Sequence, residues 1–127
     1  MGSISDLTKA NKRRDFTRVL YSTDVVVNHD NRILCGKVSN VSLKGLHLNI
    51  MELIPDDSAV TITVCPSQGP SMTFEAKVVW AEKSELGMEI CKMPVESFTW
   101  LRNVISSRVQ DPEGVINEVY KVARCIE

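Results

Sequence analysis

Apolar and polar residues alternate along most of this chain. In 18–27, Val19, Tyr21, Val25 and Val27 recur at near-even spacing within a β-branched segment, which predicts a half-buried strand. His29, Asp30 and Asn31 then predict a turn. A second strand is expected over 32–39 and a third over 45–50, with Leu46, Leu48 and Ile50 on one face. These three read as an antiparallel meander. Past the turn residues Pro55 to Ser58, the stretch 59–65 turns Val60, Ile62 and Val64 inward. A Pro- and Gly-rich break at 66–70 separates it from 72–81, where Met72, Phe74, Ala76, Val78 and Trp80 share a face. The stretch 86–91 closes the sheet. Six strands joined by short turns with no helix between them favour a mainly β fold, a small antiparallel barrel.

The period then changes. Pro94 suits a first helical turn, and Phe98, Leu101, Val104 and Ile105 recur at helical spacing. Asp111 and Pro112 read as the N-cap and first residue of a second helix filling 111–127. Val115, Val119, Val122 and Ile126 form its apolar stripe, flanked by Ile116, Tyr120 and Ala123. That stripe needs a cover: its own barrel, a second copy of the chain, or a protein partner. The expected organisation is a flexible leader at 1–11, one domain at 12–110 and a helical extension at 111–127.

Composition narrows the function. The chain has 127 residues, 43% hydrophobic and 24% charged, enough for a core without metal or disulfide staples. No apolar run approaches the roughly 20 residues needed to span a bilayer, and the opening residues lack a signal-peptide pattern, so the cytoplasm is the expected location. Cys35, Cys65, Cys91 and Cys125 form no Cys-x-x-Cys pair, and His29 and His47 are not at ligand spacing with them. The expectation is four reduced, mostly buried thiols and no metal. No Gly-rich phosphate loop, carboxylate pair or nucleophile–base arrangement stands out, so no enzyme and no cofactor are expected.

The formal net charge of −1 conceals a local imbalance. Lys9, Lys12, Arg13, Arg14 and Arg18 face only Asp15 within residues 9–18, a segment of +4 that leaves −5 elsewhere. Positive charge confined to one end, with 6% aromatic residues, argues against DNA or RNA as partner and for a small anion. Arg13, Arg14 and Arg18 lie directly before the first strand. Guanidinium groups can grip a phosphate bidentately, pair with the O6/N7 edge of guanine or stack on its plane. By itself such a run also reads as a solvated basic leader. A second element, Asn40-Val41-Ser42-Leu43-Lys44-Gly45, joins two predicted strands; Asn40 and Ser42 supply short donors and acceptors, and Gly45 permits a turn or the close approach of a ligand. These residues equally serve simple turn chemistry.

Taken together the two elements resemble the PilZ family pattern, Arg-x-x-x-Arg followed by Asp/Asn-x-Ser-x-x-Gly, here Arg14 and Arg18 with Asn40, Ser42 and Gly45. The stretches 35–38, 76–80 and 86–90 also look like that family's strands, so the resemblance covers roughly residues 12–105 and leaves 111–127 aside. It implies a six-stranded PilZ-type barrel with C-terminal helices and a non-catalytic bacterial receptor for cyclic di-GMP. It further implies that Arg13, Arg14 and Arg18 hold guanines or phosphates, that Asn40 and Ser42 meet the other guanine, and that Gly45 keeps the loop open to the ligand. The leader would order on binding and signal to a protein partner. Asn40 stands where Asp is the commoner family choice. Two near-site residues carry expectations of their own: Trp80 as a buried packing residue, with guanine contact as the alternative, and Lys44 as a solvated side chain. A PilZ-type adaptor that binds protein and no nucleotide is the competing reading, and a homodimer remains open.

Overall fold

The computed structural model of the protein describes residues 16–127; the expected leader at 1–11 and the motif residues Arg13 and Arg14 lie outside the described residues. Six strands, β1 (Val19–His29), β2 (Arg32–Val41), β3 (Gly45–Ile50), β4 (Ala59–Cys65), β5 (Met72–Glu82) and β6 (Glu85–Lys92), precede two helices, α1 (Val95–Ser107) and α2 (Pro112–Val122). All strand pairs are antiparallel, and the order β1-β2-β3-β6-β5-β4 closes into a barrel. Closure leaves no free sheet edge to pair with another chain.

The turn chemistry sets the register. Asp30 and Asn31 both take positive φ, at 50° and 66°, between the paired residues His29 and Arg32. A two-residue turn of this hand matches strand twist, and Asn and Asp tolerate it better than other side chains with a Cβ. Period-two alternation then points Val25, Val27, Leu34, Val38, Leu46, Leu48, Ile62, Val64, Phe74, Val78, Leu86 and Ile90 into a core where each is at most 3% exposed. Leu43 in the β2–β3 turn and Ile54 in the β3–β4 connection are also buried, at opposite ends of β3.

The helices lie against this barrel. Phe98, Leu101 and Ile105 bury one face of α1, and Ser97 Oγ donates to Thr73 O on β5 at 2.8 Å. Asp111 caps α2, its carboxylate accepting from Glu113 N at 3.2 Å, and Pro112 occupies the first turn as the sequence implies. Val115 and Val122 are buried and Val119 packs beside them, so the stripe is covered by the chain's own fold.

Four expectations change. The second helix does not reach 127: it ends at Val122, a 3-10 turn spans Ala123–Cys125, and Ile126 makes a parallel bridge with Met93. Two hydrogen bonds between Met93 and Cys125 or Glu127, at 2.8 and 2.9 Å, satisfy backbone groups that a continued helix would have left pointing away from β6. The thiols are not mostly buried. Only Cys125 is, because Cys35 and Cys91 occupy outward positions in strand alternation and Cys65 is half-buried. Lys44 is half-buried and not simply solvated, its Nζ donating to Ile90 O at 3.0 Å and lying 3.3 Å from Cys125 Sγ. Trp80 leaves the core because the β5–β6 register shifts between Val78 and Trp80. That irregularity interrupts the alternation and turns the indole onto the outer face. Among the described residues no helix is long and apolar enough to cross a membrane.

Candidate functional site

The outer face of the barrel brings three residues singled out from the sequence, Arg18, Asn40 and Trp80, into one line with a fourth, His47. Arg18, just before β1, donates from Nη1 to Asn40 Oδ1 at 2.7 Å. Asn40, on β2, places Nδ2 2.9 Å from Nδ1 of His47 on β3. His47 meets Trp80 edge to face, with ring centroids 4.7 Å apart. Beneath the indole lies Gly87, paired with both His47 and Trp80, where a Cβ would stand 2.2 Å from Trp80 Nε1. Glycine at that position is what lets an indole lie flat across β6. Leu20, paired with Asn40, adds an apolar patch, 79% exposed.

Asn40 uses both ends of its amide. Its oxygen accepts from Arg18 while its nitrogen donates to His47, an arrangement served by a neutral imidazole carrying its proton on Nε2. A carboxylate in its place would accept from both neighbours, and His47 would then have to carry a proton on Nδ1. Burial holds the His47 pKa below its ordinary value, with the Arg18 charge acting in the same direction and Glu85 opposing. Because the folded protein then binds fewer protons than the unfolded chain, the stability contributed here is present above the ordinary value of about 6.5 and declines as pH falls toward the folded pKa. Urea denaturation at about pH 7.5 and 5.5 should show this loss in the parent, and His47→Gln should lose that part of the pH dependence.

Ser42 and Gly45 play a different part from Asn40. Ser42 is 2% exposed, and its hydroxyl accepts from Gly45 N at 3.1 Å and Lys44 N at 3.3 Å, closing the β2–β3 turn. At Gly45 an added Cβ would lie 2.6 Å from Met88 O. The close approach at this glycine is by the β6 backbone. Ser42 and Gly45 therefore shape the turn that follows Asn40, and the hydroxyl is not brought to the outer surface. Arg13 and Arg14 lie outside the described residues.

His47 was not among the residues singled out from sequence, although alternation puts it on the face opposite Leu46 and Leu48. Three further residues, Glu118, Lys121 and Arg108, reach this region from far along the chain. Glu118 on α2 accepts from Thr17 N at 2.8 Å and from Thr17 Oγ1, and Lys121 lies 5.7 Å from the Phe16 ring centroid. The carboxylate thereby fixes the residue preceding Arg18. Glu118→Ala should cost about 1 kcal/mol of folding stability in a urea titration, since the two Thr17 donors lose their charged, half-buried acceptor. Arg108, just past α1, donates from Nε to Leu20 O at 3.0 Å, its guanidinium carbon 5.2 Å from the centre of the Tyr21 ring.

A family model described as PilZ domain matches residues 12–107. Among solved structures, the chain resembles the PilZ domain of CeSA from a cellulose-synthesizing bacterium, with TM-score 0.59 and 13% identity over 72% of this chain and 96% of that one. It also resembles the PilZ domain with c-di-GMP of YcgR from Escherichia coli, at 0.62 and 16% over 88% and 98%. PlzA of Borreliella burgdorferi in complex with c-di-GMP aligns at 0.58 and 14% over 82% of this chain and 46% of that chain. No curated protein matches the sequence. At these identities the likeness to solved structures is one of fold.

Proposed function

The chain belongs to the PilZ domain family, and from that membership we propose that it is a non-catalytic receptor, acting in the cytoplasm, for cyclic di-GMP. The observation that carries this reading is the line Arg18–Asn40–His47–Trp80 on the outer face, a polar row ended by an exposed aromatic ring. Two solved PilZ-type neighbours hold c-di-GMP, which supports the same ligand here.

The chemistry fits. Cyclic di-GMP carries two phosphodiester anions and two guanines, each with an O6/N7 acceptor edge and N1/N2 donors. Arg18 serves the acceptor edge or a phosphate with its planar fork, and Asn40 Oδ1 accepts from the guanine donors. The half-open face of Trp80 offers a guanine a stacking surface. Arg13 and Arg14 in the leader add cationic contacts, as the family pattern implies. Ser42 and Gly45 act by holding the turn beside Asn40. Ligand binding draws the leader's arginines onto the barrel and alters the surface offered to a downstream protein.

Isothermal titration of the purified chain with cyclic di-GMP, with GTP and cyclic GMP as controls, tests this. Saturable binding selective for cyclic di-GMP is expected. A flat titration of folded protein at low salt would end the receptor reading in favour of a protein-binding adaptor.

A further inference from the structure

Arg108 lies one residue beyond the stretch that the family model matches. Its guanidinium borders two clefts on the same side of the barrel. One, of about 420 Å³, is lined by Arg18, Val19, Leu20, Arg108 and Val109. The other, of about 550 Å³, is lined by Leu20, Tyr21 and Arg108 together with residues of β2 and β3. Arg108 and Leu20 border both clefts, and Arg18 binds Asn40 beside the first.

The geometry points to Arg108 as a second, non-motif arginine of the nucleotide site, gripping a phosphodiester of the ligand across Leu20 from Arg18. Three features carry this. First, the side chain is held in place: the bond from Nε to Leu20 O and the Tyr21 ring under the guanidinium fix its plane, and Tyr21 is in turn edge to face with Trp100 at 5.4 Å. Second, Arg108 is exposed and makes no ion pair among the described residues, and its Nη groups bond to nothing there. A guanidinium spends one Nε–H on the backbone and leaves a planar pair of donors, the geometry that suits a phosphate. Third, the irregular β1–β2 register between Leu20 and Thr23 places two residues of β1 against one of β2, which bends the strand beside the Leu20 carbonyl that Arg108 reads.

The assignment rests on the receptor reading for the identity of the ligand, and the test separates the two. Cyclic di-GMP is titrated into the parent, Arg18→Ala, Arg108→Gln and Arg108→Lys, with inorganic pyrophosphate titrated in parallel and Trp fluorescence and melting curves recorded. Expected is a loss of roughly ten- to a hundredfold in affinity for Arg108→Gln, the size of a hydrogen bond to a charged group, with partial recovery in Arg108→Lys and unchanged melting. Parent-like affinity in both Arg108 variants, with Arg18→Ala impaired, overturns the role of Arg108 and leaves the receptor reading intact. If no protein binds cyclic di-GMP but pyrophosphate binds the parent and not Arg108→Gln, the anion site stands and the receptor reading falls. Binding of neither probe removes both. Should Arg108→Gln melt early, Arg108→Lys alone decides, since it keeps the charge and loses the fork.

Discussion

Arg18→Ala is expected to weaken cyclic di-GMP binding by about 1 to 3 kcal/mol, roughly five- to 150-fold, while leaving the melting curve of the barrel in place. The side chain is exposed, so removing it opens no cavity in the core. What it removes is the donor that meets Asn40 Oδ1, and with it the cation that anchors the ligand end of the outer face. Asn40 keeps its bond to His47 in the variant, so the site's framework persists and the measured change is a change in ligand contact. Arg14→Ala should show a loss of the same order if the motif arginines act together. The check is calorimetric titration of both variants beside circular dichroism melts. An early melt in Arg18→Ala would make this arginine a structural residue, and unchanged affinity would remove it from the site.

The sequence makes the barrel legible where alternation and turn chemistry agree. The 45–50 and 59–65 strands have the bounds expected, because each is flanked by Gly or Pro signals and has one apolar face. Alternation fails where register shifts. The irregularity before Trp80 sends that ring outward, and pattern counting along one strand has no means of seeing a residue inserted opposite its partner, even in a hairpin as tight as β5–β6. The exposed Cys35 and Cys91 were readable from the same alternation, which places them opposite the core residues Leu34 and Ile90. Cysteine's general preference for burial misled the expectation.

The site divides along the same line. Arg18, Asn40 and the turn at Ser42 and Gly45 are local motifs, and the fold brings Arg18 to Asn40 across 22 residues of sequence. The direct work of Ser42 in the turn was equally open to a simple reading of turn chemistry. Glu118 and Arg108 act across 101 and 88 residues. Nothing local marks either one, since a glutamate on an exposed helix face and an arginine at a helix end read as solvated charges. Only the packing of α2 and of the end of α1 against the start of β1 gives them a role.

Phe74→Ala is expected to destabilise the fold by about 3 to 5 kcal/mol, the range for emptying an aromatic site in a close-packed core. Phe74 is the largest of the fully buried side chains, near the start of β5. Because a domain of this kind holds only about 5 to 15 kcal/mol in total, the variant should unfold at much lower urea and show a reduced affinity that ligand excess restores. A second effect follows from the neighbours. Phe74 lies 6.5 Å from the Trp100 ring, Trp100 supports Tyr21, and Tyr21 lies under Arg108. Loosening Trp100 should therefore disturb the Leu20 edge of the outer face more than the Asn40–His47–Trp80 edge, which stands on Gly87 and β6. Heteronuclear NMR of Phe74→Leu, which keeps most of the volume and should cost less, checks this: shifts concentrated at Tyr21, Trp100 and Arg108 are expected. Shifts spread evenly over both edges would mean that the core supports the outer face as one unit, with no separate path from α1.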